Sequence, residues 1–112
     1  MTKPNPLKLN PLQLKTLTLL QHIARLWGEA PADGSEGVEV NHFPHAHGNH
    51  FHIGDATVFA RDATGLTNAS VWTALERRGL VKSSYPYSLI LTPDGQAYET
   101  GIADAILHRS DH

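Results

Sequence analysis

The chain has 112 residues, a formal net charge of −2, a hydrophobic fraction of 40% and no cysteine. This length predicts one domain with its own core, and the lack of cysteine excludes a disulfide framework and a thiolate metal site. No apolar run approaches the roughly 20 residues that span a bilayer, and the N-terminus lacks the apolar core of a signal peptide. We therefore expect a cytoplasmic protein without a membrane partner.

The N-terminal residues 1–10 are predicted to form an irregular arm, and residues 11–108 a single domain. The first helix has a clear start, because Asn10 is a capping residue, Pro11 takes the first helical position and Gln13 follows three residues after the cap. The helix is expected to end near Trp27, where Gly28 follows.

The apolar residues of this helix fall on two sides. One side is a wide stripe suited to the core, and the other carries Leu14, Leu17 and Ala24. The second side is covered either by Leu7 and Leu9 of the arm or by a partner subunit. We favour the partner subunit and therefore predict a homodimer.

A histidine-rich hairpin is predicted over about residues 38–53, after a loop rich in glycine, proline and aspartate. Gly48-Asn49 suits a two-residue turn, which would place His47 opposite His50 and His45 opposite His52. Direct partners share one face of a hairpin, as do residues i and i+2, so these four histidines would project together. Imidazole suits zinc, copper, nickel or iron(II), and the candidate ligands of such a metal are His45, His47, His50 and His52.

The same four histidines have simpler interpretations. They could form a polar hairpin face bonded to backbone, water or one another, or a pH-sensitive loop, since clustered like charges oppose protonation. Catalysis would also need a positioned acid or base and a concave pocket. The sequence indicates neither, so we assign no catalytic residue and do not expect an enzyme.

The central stretch of the chain reads as a helix-turn-helix over about 55–79. A first helix is predicted over Asp55–Thr64, and a second begins near the capping residues Thr67 and Asn68 and ends at Gly79. Two extended runs over about 80–92 then form a wing, and a last helix covers about 93–108.

This order resembles winged helix-turn-helix proteins, including MarR-like and related bacterial regulators. The residues that carry the resemblance are ERRGLV at the end of the second helix and LTPDGQAYE after the wing, within about residues 54–108. The resemblance implies an α+β winged helix, here with an extra β-hairpin on the N-terminal side. It also implies a recognition helix that contacts DNA.

Candidate DNA contacts lie on the second helix and the wing. Within residues 56–92, four basic residues stand against two acidic ones, a thin basic surface for a DNA-binding protein. The side chains that could meet bases or phosphates are Asn68, Thr73, Arg77, Arg78, Lys82, Ser84 and Tyr85.

We therefore expect a small DNA-binding transcriptional regulator of winged-helix type, with the histidine hairpin as a possible metal-responsive element. The alternative is a winged-helix module that binds protein rather than DNA, which the acidic net charge favours. A metal-dependent enzyme is a third option and depends entirely on the histidines.

Overall fold

The computed structural model describes residues 5–109, apart from the side chain of His47. Four α-helices, two 3₁₀ turns and seven strands form within these residues. The helices are α1 (Pro11–Trp27), α2 (Ala69–Arg77), α3 (Pro93–Ala97) and α4 (Ala103–Ile106), and the 3₁₀ turns cover Ala60–Asp62 and Thr64–Thr67. The strands are β1 (Val38–Val40), β2 (Ala46–His47), β3 (His50–Ile53), β4 (Ala56–Phe59), β5 (Val81–Ser84), β6 (Ser88–Leu91) and β7 (His108–Arg109). The predicted α+β class is confirmed.

Helix α1 begins and ends where the sequence predicts. The Asn10 side chain accepts a hydrogen bond from the backbone N–H of Gln13 at 2.8 Å, and the Gln13 side chain accepts one from Asn10 at 3.0 Å. This reciprocal pair satisfies two N–H groups that a helix start would otherwise leave without acceptors. No helix within residues 5–109 is long and apolar enough to cross a membrane.

The chain itself covers both sides of α1. Leu17, on the side that suggested a dimer, is fully buried, and Leu14 and Ala24 are half-buried. Leu7 and Leu9 of the N-terminal arm pack against the core, which is the alternative to a partner subunit. Residues 1–4 of the arm lie outside the described residues. Intrachain packing therefore accounts for the apolar pattern from which we predicted a homodimer.

The first sheet has the strand order β1-β6-β5, all antiparallel. Strands β5 and β6 form a hairpin over the segment that we predicted as a wing, and we keep the name wing for this hairpin. Strand β1 pairs with β6 through Val38–Leu91, Glu39–Ile90 and Val40–Leu89. Val40, Leu89 and Leu91 are buried in the core with α1 and α2. Residues 38–40 thus belong to the wing sheet, which corrects their predicted place in the histidine hairpin.

The second sheet has the order β2-β3-β4-β7 and contains the histidine turn. The predicted register is confirmed for two pairs, His47 opposite His50 and Ala46 opposite Phe51, while His45 lies just before β2. Gly48 has a φ of +66°, which a residue without a Cβ adopts at little cost.

The predicted helix over Asp55–Thr64 is wrong. The segment forms β4 and the first 3₁₀ turn, and its side chains alternate, with Ala56 and Val58 buried and Thr57 and Phe59 more exposed. Gly54 and Asp55 connect β3 to β4, so Ile53 lies opposite Ala56. A short apolar run fits either a helical or a strand period, and pairing with β3 and β7 selects the strand.

The single C-terminal helix predicted over 93–108 is also wrong, because α3 ends at Ala97 and α4 starts at Ala103. The Gln21 side chain donates hydrogen bonds to the carbonyls of Gly95 at 2.9 Å and Tyr98 at 2.7 Å. The buried Thr100 hydroxyl accepts a hydrogen bond from Thr18 at 2.7 Å. These contacts from α1 hold the segment between α3 and α4 in a non-helical conformation.

Candidate nucleic-acid interface

Helix α2 places apolar side chains inward and polar ones outward. Val71, Trp72 and Leu75 are buried, and the predicted contacts Thr73 and Arg77 are exposed one turn apart on the opposite side. The Asn68 side chain accepts a hydrogen bond from the backbone N–H of Ser70 at 3.0 Å. Asn68 is therefore the N-cap of α2 and is half-buried, so its first role is structural.

The outward face of α2 forms a shallow depression of about 280 Å³. Its lining includes Ala69, Ser70, Thr73 and Arg77. Because three of these side chains are small, a large surface could approach the helix backbone closely there. Arg77 would place a guanidinium at the end of the depression, where it could reach a phosphate or a base edge.

The wing lies beside the start of α2, and a hydrogen bond joins them. Lys82 and Ser84 are exposed on β5 at positions i and i+2, which share a face of a strand. The Tyr85 hydroxyl donates to the carbonyl oxygen of Thr67 at 2.8 Å, directly before the cap of α2. Tyr87 at the tip is 80% exposed. The wing tip is therefore tied to the turn that begins the helix.

Residues 56–92 expose less negative charge than a count of their acidic residues suggests. Asp62, one of the two acids of this region, is buried and forms a 2.9 Å ion pair with Lys15 of α1. Arg77 and Arg78 make no ion pair with any described residue, and both are exposed. Glu76 is the other acid within residues 56–92, and it is exposed.

Among the predicted phosphate contacts, Lys82 has an acidic neighbour, Asp33. Hydrogen bonds from the Ser35 hydroxyl and backbone N–H lower the pKa of the Asp33 carboxyl, and the nearby Lys82 ammonium lowers it further. Asp33 and Lys82 are both exposed, so solvent screens this attraction and it offsets only part of the Lys82 charge. Arg77 and Arg78 are consequently the stronger candidates for phosphate contact.

An aromatic cluster underlies the wing tip and was missed in the sequence. The Trp72 ring packs edge-on against Tyr85 with centroids 4.8 Å apart, and against Phe43 at 5.6 Å. Trp72 is therefore a core residue of α2, and its ring is not exposed for stacking on a base. The dipeptides Phe43-Pro44 and Tyr85-Pro86 were the available signal, since both place an aromatic ring before a rigid turn residue.

The histidine hairpin is partly assembled as predicted. The rings of His50 and His52 lie on one face with centroids 4.8 Å apart, and His45 is exposed. The side chain of the fourth predicted ligand, His47, lies outside the described part of the structure. Among the side chains that are described, no three potential metal ligands form a group able to hold a metal ion.

Comparisons with protein-family models, curated proteins and solved structures each find no match to this chain.

Proposed function

We propose that this chain is a cytoplasmic DNA-binding regulator of winged-helix type. The strand order β1-β6-β5, with α1 before β1 and α2 directly before the β5–β6 hairpin, supports the proposal. In a winged helix the helix before the wing is the recognition helix, which is the place of α2 here. The helix that would normally precede it is replaced by β4 and the two 3₁₀ turns.

The observation that carries the proposal is the direct contact between α2 and strand β5 of the wing, with exposed polar and basic side chains on both elements. Thr73 and Arg77 project from α2, Lys82 and Ser84 project from β5, and the Tyr85–Thr67 hydrogen bond fixes the wing tip to the start of α2. The width of a DNA major groove admits one helix, and a flanking hairpin can then reach the backbone. Phosphate contacts would come mainly from the arginines at the end of α2.

A protein-binding module is the second candidate function. The net charge of −2 and the highly exposed Tyr87 at the wing tip favour it, because aromatic side chains are enriched at protein interfaces. The same surface would then contact a protein partner.

Two further features belong to the proposal as additions to DNA binding. Metal response through the hairpin would use His45, His47, His50 and His52, and the paired turn with adjacent His50 and His52 rings supports it. A homodimer would present two recognition helices to two half-sites. Light scattering at tens of micromolar would then report about twice the 12.3 kDa chain mass.

The proposal is tested by measuring the affinity for fluorescent duplex DNA at several salt concentrations. We expect the logarithm of the binding constant to fall linearly with the logarithm of salt, as counterions are released from phosphates. Arg77→Ala should weaken binding and reduce the slope by about 1. Arg25→Ala is the matched control, because Arg25 is also exposed in the last turn of a helix but faces the groove beside Gln21 and Gln96.

Two results would count against DNA binding. If no duplex of any tested sequence binds at low salt, the protein-binding alternative is favoured. Equal weakening by Arg77→Ala and Arg25→Ala would show that binding does not involve the α2 face.

A further inference from the structure

An apolar pocket of about 290 Å³ lies between the histidine hairpin and the tip of the wing. Four separate segments of the chain build it: residues 43–46 at the start of β2, strand β3, the 3₁₀ turns and the wing tip. Phe43, Phe51 and Tyr85 contribute aromatic walls from three of these segments. None of the described residues that line the pocket carries a charge.

The size of the pocket limits what it can hold. An apolar cavity of about 150 Å³ is large enough to bind benzene in an engineered protein. A volume of about 290 Å³ therefore accommodates a molecule of two fused or linked rings. It also approaches the lower end of the usual range for small-molecule sites.

The lining also defines the charge and polarity of a suitable ligand. An ionised group in this pocket would lose its hydration without an opposite charge in the lining, which is costly. Phe43, Phe51 and Tyr85 offer ring faces and edges to an aromatic guest. Thr64 and Thr67 add hydroxyl groups to the lining, which suit one hydroxyl or amine on the guest.

Trp72 lies against two of these aromatic walls and can report on the pocket. Its ring contacts Phe43 and Tyr85, and it is 1% exposed. Its indole N–H has no hydrogen-bond acceptor among the described residues. A ring placed between Phe43 and Tyr85 would change the magnetic environment of that N–H without a need to touch it.

We propose that this pocket binds a neutral aromatic molecule of about two rings. The inference goes beyond DNA binding and does not depend on it, because it rests on the volume, the uncharged lining and the three aromatic walls. The site also includes Thr67 and Tyr85, the two residues whose hydrogen bond ties the wing tip to the start of α2.

The test is isothermal titration calorimetry of the full chain with 2-naphthol, compared with 2-naphthoate. Both have the same two rings, but the second is an anion at pH 7.5. We expect 2-naphthol to bind with a Kd below about 1 mM and 2-naphthoate to bind at least ten-fold more weakly, since its carboxylate would be buried without a partner. Failure of 2-naphthol to bind at 1 mM, or equal affinity for the two, would overturn the proposal.

Two further measurements place the binding in the pocket. Ala46→Phe, from an exposed position at the pocket, should fill it and weaken 2-naphthol binding at least ten-fold, whereas Ala105→Phe at an exposed position of α4 should leave binding unchanged. In ¹H–¹⁵N spectra, 2-naphthol should shift the indole signal of Trp72 more than that of Trp27, a readout that needs no pocket substitution. Equal binding by both phenylalanine variants, or a larger shift of Trp27, would place the ligand elsewhere and contradict the assignment.

Discussion

The 3₁₀ turn Thr64–Thr67 approaches α1 most closely at Gly65. A Cβ added at Gly65 would lie 1.8 Å from the Thr16 hydroxyl oxygen, far inside contact distance. Thr16 is fully buried, and its hydroxyl donates to the Leu12 carbonyl at 2.8 Å. This contact sets how closely the turn before α2 packs on α1, and therefore where α2 begins.

We expect Gly65→Ala to lower the free energy of unfolding by about 1–3 kcal/mol, because the added methyl overpacks a tight contact. Thr16→Ala alone should have a smaller effect, since the Leu12 carbonyl still accepts a backbone hydrogen bond within α1. The double variant should recover part of the loss, because the methyl then has space. Urea unfolding of all four proteins measures this coupling. Strictly additive losses would show that the two residues do not share the contact.

The Lys15–Asp62 ion pair is the second residue-scale feature that shapes the molecule. It joins the first 3₁₀ turn to α1 and compensates the buried carboxylate. Without Lys15, the buried Asp62 carboxylate would have no partner cation among the described residues.

At the scale of elements, the sequence was informative where boundaries are encoded locally. Asn10, Pro11 and Gln13 define the start of α1, and Asn68 caps α2 as expected. The Gly48-Asn49 turn sets the hairpin register for the same reason, because turn geometry alone determines which residues face each other.

The elements that were mispredicted depend on distant partners. Residues 56–59 are a strand because β3 and β7 flank them, and residues 38–40 are a strand because β6 lies about fifty positions later. The last helix is interrupted because Gln21 and Thr18 bond to the segment after α3. Local patterns contain no information about such contacts.

The candidate site also has features that the local sequence predicts and features that depend on distant segments. Exposure of Thr73 and Arg77 followed from the period of α2, since polar positions opposite an apolar stripe face outward. The aromatic pocket was not predictable, because its walls come from segments that are distant in sequence. The compensation of Lys82 by Asp33 was equally hidden, since it depends on how the acidic loop lies beside the wing.

The histidine hairpin carries a prediction about metal and pH. Binding needs neutral imidazole, whose ordinary pKa is about 6.5, so zinc or nickel should raise the melting temperature at pH 7.5. Below pH 6.5 protons compete for the same nitrogens, and the increment should be largely lost at pH 5.

Substitutions assign the metal effect to the hairpin. His47→Ala and His50→Ala should each remove the increment, while His22→Ala on α1 should retain it. Melting curves with and without metal provide the measurement. An unchanged melting temperature with zinc, nickel, copper and iron(II) at pH 7.5 would show that these histidines form a polar surface only.

At the scale of the whole molecule, α1 is the central element against which the other parts pack. The wing sheet, the 3₁₀ turns and both C-terminal helices contact it, and α2 and the wing remain exposed on their outer faces. The pocket lies behind the wing tip and shares Thr67 and Tyr85 with the link to α2.

If both proposals hold, DNA and the aromatic ligand should alter each other's affinity by the same factor. Repeating the DNA titration in 2-naphthol measures that factor.

The central claim is that α2 and the wing form one surface for duplex DNA. It is tested most directly by ¹H–¹⁵N spectra of the labelled protein during titration with duplex DNA at low salt. We expect the largest chemical-shift changes at the backbone amides of residues 69–78 and 82–87, and little change in α3 and α4. Changes centred on α3, on α4 or on the histidine hairpin, or no change with any duplex, would contradict the claim.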